Sequence, residues 1–103
     1  MDSIYVISSI HIEDSGSVTR KRTVGWFPTL AESVRVVTNN EGDLYEANHY
    51  NHCVIEEVQA GLYPSIGRKE CQEWWFKWAL LDKYLLVGKP DGLEDMINFC
   101  NMG

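Results

Sequence analysis

The segment EWWFKW, Glu73 to Trp78, places three of the chain's four tryptophans within five residues. Few local structures accommodate such a run. In a strand, successive side chains point to opposite faces. Trp74, Phe76 and Trp78 then share one side, and Trp75 and Lys77 the other. Enrichment in Trp, Phe and Tyr favours a strand. A single helix over residues 71–86 is the rival, because periodicity alone does not separate the two in a short apolar run. The reading adopted is two strands, about residues 72–79 and 83–88, with a turn near Asp82. Three rings on one face, each burying roughly 150–250 Å², fill the space between a sheet and a helix. Trp75 and Lys77 are left on the other face, open to solvent or to a partner.

The rest of the chain supplies the sheet and its cover. SIYVISSIHIE at the start is rich in β-branched residues and reads as a strand. DSGS, Asp14 to Ser17, has turn chemistry at every position, and VTRKRTVGWF follows as the second arm of a hairpin. PTLAESVRVVTNNEG predicts a helix: Thr29 is the N-cap and Glu32 completes a capping box. Leu30, Val34 and Val37 recur at helical spacing, and Asn39, Asn40 and Gly42 form the stop. DLYEANHYN fits a short helical turn or a loop equally. HCVIEEV is a strand by composition, broken by Gly61 and Pro64, and SIGRKE reads as a loop. In DGLEDMINFC, Leu93, Met96, Ile97 and Cys100 make one apolar helical face, with Asp91 as cap. The resulting order, ββαβββα, predicts an α+β fold. It is a single domain over residues 1–103, an antiparallel sheet of four or five strands with a central and a C-terminal helix on one face.

Composition bounds the function. With 103 residues, 45% apolar and 23% charged, the chain has enough apolar content to fold rather than stay disordered. No apolar run reaches the ~18 residues of a membrane span, so no membrane partner is expected. The N-terminus carries Asp2 in place of the basic region of a signal peptide, and the expected location is the cytosol. Three cysteines with no CxxC spacing read as reduced thiols; Cys71, near Arg68 and Lys69, is the one expected to be exposed. The net charge of −6 disfavours duplex nucleic acid, whose binding draws on excess Lys and Arg.

Candidate chemistry is sparse. His49, His52 and Cys53, with Asp43 and Glu46 upstream, lack the second ligand pair of a zinc site, and no metal or cofactor is expected. Glu56 and Glu57 are adjacent in a strand and face opposite ways, so they cannot act on one substrate atom. One of them, Glu56, is expected to face the open surface and pair with Lys77 or with the cluster Arg20, Lys21 and Arg22. No nucleophile elbow, P-loop or dinucleotide fingerprint is present, so no enzyme activity is expected. The candidate binding surface is therefore Arg20, Lys21, Arg22, Trp26, Trp75, Lys77 and Glu56. Aromatic rings beside cations stack bases or anchor protein interfaces.

Several short motifs occur together: GWFPT (Gly25–Thr29), YEANHYNHCVIEEVQAGLYP (Tyr45–Pro64), WFKW (Trp75–Trp78), KP (Lys89–Pro90), NF (Asn98–Phe99) and the final Gly103. On these the whole chain resembles a family of small proteins of bacterial genomes, prophages and phages. That family shares an Arg-x-x-Gly-aromatic-Phe entry to a helix, matched by Arg22, Gly25 and Phe27, and a VIE strand, a Gly-x-Tyr turn and a WFKW strand. Cys100, Asn101 and Met102 before Gly103 depart from its smaller residues there. The resemblance supplies no catalytic residue. It implies a phage or mobile-element accessory protein, and hence one that inhibits a host defence protein by direct binding. The alternative is a sponge that sequesters a nucleotide signal in a pocket lined by Trp26, Trp75, Lys77 and Arg22, between subunits of a homo-oligomer.

Overall fold

A computed structural model describes residues 3–59, 72–79 and 83–93. Strands Ser3–Ile12 (β1) and Val18–Phe27 (β2) precede helix Leu30–Thr38 (α1). Strands His52–Gln59 (β3), Glu73–Ala79 (β4) and Lys83–Val87 (β5) complete the described elements. All pairings are antiparallel, and the sheet order is β2-β1-β3-β4-β5. The expected α+β class and five-stranded antiparallel sheet are thus present, with α1 as the described helix. Residues 73–79 and 83–87 are strands, which removes the rival helix over 71–86. The expected turn at Asp82, the loop around Gly61–Glu70 and the C-terminal helix lie outside the described residues. Among those described, no helix is long and apolar enough to cross a membrane.

The hairpin forms as its turn residues require. Gly16 takes φ +93°, a region a side chain would obstruct. Its N–H donates to Glu13 O at 2.8 Å, and Glu13 N–H donates to Ser17 O at 2.9 Å. At the start of α1, Thr29 Oγ1 accepts from Glu32 N–H at 3.3 Å and donates to Glu32 Oε1 at 3.1 Å. Nine residues are too few for a helix to hold in water by propensity, so packing on the sheet must sustain it. Its buried side chains are Ser33, Val36 and Val37, with Leu30 and Val34 at the margin of the core. The buried stripe is therefore rotated from the expected Leu30–Val34–Val37 line. Ser33 is small enough to let the helix settle on β1, where its hydroxyl donates to Tyr5 O at 3.5 Å.

Under α1 lie Ile7, Cys53, Ile55, Phe76 and Tyr84, with Trp74 and Trp78 packed around them. The register runs Ile7–Ile55–Trp74 and Ser9–Cys53–Phe76 across β1, β3 and β4. Trp74, Phe76 and Trp78 fill this layer, as the alternation predicts.

Over the central strands the opposite face is not open, which corrects the expectation for Trp75. Ile10, Val54, Trp75 and Leu93 form a second buried cluster, and Val6 and Val58 a third. Trp75 is only 2% exposed, and its indole N–H donates to Glu73 Oε1 at 3.0 Å. The physical reason lies in β1 and β3, where neighbouring residues Val6 and Ile7, and Val54 and Ile55, are all buried. Strands buried on both faces read as near-continuous apolar runs rather than alternations. Replacing Trp75 by Ala is expected to lower unfolding free energy by about 3–5 kcal/mol, measured by denaturant titration. A loss below ~1 kcal/mol would mean that the second layer is not closed.

Candidate binding surface

The seven residues expected to converge are dispersed by the strand order. β2 and β4 are three strand spacings apart, roughly 14 Å at 4.8 Å per spacing. Trp26 lies across from Val6, Val6 from Glu56, and Glu56 from Glu73. Trp75 lies across from Val54, and Lys77 across from His52 and Leu85. The pocket of Trp26, Trp75, Lys77 and Arg22 is therefore not assembled within one chain, and Trp75 belongs to the core. Glu56 is wholly buried, between Val6 and Glu73 in the sheet register, and so does not lie on an open surface. Its neighbour Glu73 is held by Lys89 Nζ at 3.2 Å.

The basic cluster has a structural task. Arg20 Nε donates to His49 O at 3.1 Å, and Arg22 pairs with Glu46 at 2.5 Å. Both arginines thus pin the 39–51 segment against the edge strand. Lys21 projects on the other side, in register with Ile10.

That segment is the least regular part of the described chain. Asn40, Asp43, Glu46, Ala47 and Asn48 all have positive φ, as does Gly42. Asn and Asp tolerate this region, whereas residues such as Glu and Ala lose roughly 1–2 kcal/mol there. The conformation persists because its surroundings hold it. Asn40 Oδ1 accepts from Tyr45 N–H at 2.9 Å, and Asp43 Oδ1 accepts from Glu46 N–H at 3.1 Å. Ser9 Oγ donates to Leu44 O at 3.1 Å. The Tyr45 ring stacks on Trp78 with centroids 3.9 Å apart. Polar, Asn-rich and unpatterned, DLYEANHYN carries no signal for such a conformation.

Between β2 and this segment lies a cleft of about 370 Å³, floored by Ile7, Val36 and Leu44. Glu41, Asp43 and Glu46 line it opposite Arg22, and β2 borders it through Val24 to Phe27. Glu41 is paired with Arg35 at 2.6 Å, and Glu46 with Arg22. The lining is acidic, which repels a phosphate and suits a cationic or neutral group. Trp26 is 54% exposed, but its ring, in register with Val6, lies on the face of β2 away from the cleft floor. Leu85, Leu86 and Val87 on β5 are the other exposed large apolar side chains among the described residues. The run LLV without a charge was their one sequence signal, but only strand order makes them an edge.

Beneath Lys77, His52 is 8% exposed. The Asn51 side chain accepts from Ile12 N–H and donates to Ile12 O, both at 2.9 Å. This orients its amide, so His52 Nδ1 must carry the hydrogen it donates to Asn51 Oδ1 at 2.7 Å. Burial, then the Lys77 and His11 charges, lower the His52 pKa to about 4. The folded value lies below the ordinary 6.5, so between pH 6.5 and 4 the unfolded chain takes up a proton that the native chain refuses. The stability that comes from keeping this ring neutral is present above pH 6.5 and is lost progressively as the pH falls toward 4. The expected check is unfolding free energy against pH for the wild type and His52→Gln: the difference between them changes across that window and is flat above it.

No family model, no curated protein and no solved structure matches the chain.

Proposed function

We propose that this chain is a non-catalytic accessory protein of phage or mobile-element origin, acting in the host cytosol, that inhibits a host defence protein by direct contact. The carrying observation is Trp26, an indole 54% exposed on the edge strand β2. Monomeric domains bury most of so large a ring, and Trp is among the side chains that dominate binding energy when a partner encloses it. A partner that grips the β2 edge meets the Trp26 ring on one face and, on the other, the cleft with Glu41 and Asp43 at its wall, which suits a Lys or Arg. The hydrogen bonds and ion pair that tie the 39–51 segment to β2 and to itself hold the cleft wall in place, which lowers the entropic cost of binding.

A nucleotide sponge is the alternative. Arg22 is the sole cation lining the cleft among the described residues, and it is already paired with Glu46. That weighs toward a protein partner.

The experiment compares wild type with Trp26→Ala. Tagged wild-type chain is used to capture its target from bacterial lysate, and the purified target is then assayed with and without the chain. Trp26→Ala is expected to leave the melting temperature nearly unchanged and to weaken binding by about 30-fold or more, the effect of a ~2 kcal/mol anchor. Inhibition should weaken with it. Equal binding by Trp26→Ala, or binding without any effect on the target's activity, would overturn the reading.

A further inference from the structure

We infer that the chain self-associates through β5, two copies pairing edge to edge about a two-fold axis at Leu85. The sheet of one copy then continues into the other. Among the described residues β5 is the last strand of the sheet, and Leu85, Leu86 and Val87 on it are 55%, 65% and 36% exposed. In the β4–β5 register, Leu86 lies beside Phe76 on the α1 side. Leu85 and Val87 lie beside Lys77 and Trp75 on the other. Apolar side chains therefore project from both faces of one edge strand. A ligand lying on one face covers only part of them. A strand with its own layers on both sides covers them all, and a second copy brings that: its Leu86 on the α1 side, its Leu85 and Val87 on the other.

The two edges of the sheet are built differently. β2 carries Arg20, Lys21 and Arg22, and its register with β1 shifts at Ile7/Ser8 and again at His11/Ile12. Charges and bulges are the devices that keep edge strands from pairing with one another. β5 has no register shift, and its charge is confined to Lys83 at its start: between Lys83 and Lys89 there is no charged residue.

Charge also selects the register. Antiparallel pairing centred on Leu85 sets Lys83 against the partner's Val87 and Leu86 against the partner's Tyr84. Centring on Leu86 would set Lys83 directly against the partner's Lys89, and like charges directly opposite are destabilising. An isologous contact of this kind closes on itself as a dimer. Five residues of edge pairing bury less than the ~800 Å² per partner of a standard interface, so the dimer is weak and forms with concentration. The contact is separate from the Trp26 surface, which lies at the opposite edge.

Sedimentation of the full-length chain across a series from low micromolar to submillimolar tests this. The expected weight-average mass climbs from 11.8 kDa toward twice that value. Leu85→Lys opposes two ammonium groups at the axis and is expected to keep the chain monomeric at every concentration, with an unchanged melt because the side chain is exposed. Register is read separately by oxidation. Leu85→Cys should form a dimer linked 85 to 85, located by peptide mass mapping, while Leu86→Cys should not link to itself. A chain monomeric throughout, a dimer indifferent to Leu85→Lys, or a preferred 86-to-86 link would each overturn the inference. So would a monomeric chain in which Leu85→Lys abolishes target capture, because β5 would then take a strand of the target.

Discussion

Val54 and Ile55 stand next to each other in β3, point to opposite faces, and are both fully buried. Most of the architecture follows from that pair. A strand without a solvent face needs apolar cover on each side, and every polar residue in it must find a partner within the protein. Hence His52 is neutral and bonded to Asn51. Trp75 gives its indole hydrogen to Glu73, and Glu73 is in turn met by Lys89. The two buried layers themselves fix the β3–β4 register, since a slip by one residue would exchange them. The same burial raises the Cys53 thiol pKa to about 12, against the smaller opposing effect of its Ser9 and Tyr84 contacts. Cys53 is therefore a packing residue rather than a nucleophile.

With both faces of the central strands occupied, recognition is left to the rims. The β2 rim is polar and sculpted. Two of its three cations are spent on holding the 39–51 segment, whose left-handed residues shape the neighbouring cleft. The β5 rim is short and apolar, with Leu85 and Leu86 more than half exposed. A protein with two unlike edges can hold a second copy at one and a target at the other, and the proposed activities divide in that way.

Much of the fold was legible. Residue types alone placed the hairpin, α1 with its Thr29 cap, β3 and the two strands of the aromatic run, because each has a local cause: turn chemistry, capping, β-branching, ring content. The faces of β4 were half legible. Alternation sent Trp74, Phe76 and Trp78 inward correctly, but it could not say that Trp75 is covered too. The adjacent Val54 and Ile55 held that information, since two large apolar neighbours in one strand imply two dry faces. The candidate site was less legible, because it depends on strand order. Arg22 and Trp26 stay together on β2, though on opposite faces of it, while Trp75 and Lys77 are carried three strands away by the insertion of β1 and β3 between them. The ring of left-handed residues from Asn40 to Asn48 had no signal beyond its asparagines, since the tertiary contacts impose it.

The four indoles end in unlike surroundings: Trp75 sealed, Trp74 and Trp78 half covered, and Trp26 largely in water. An indole in water emits at longer wavelength than one in an apolar interior. The red side of the native emission band therefore belongs mainly to Trp26, and a collisional quencher will remove that side first. The molecule thus carries an optical reporter at its β2 rim, distinct in colour from the core that supports it.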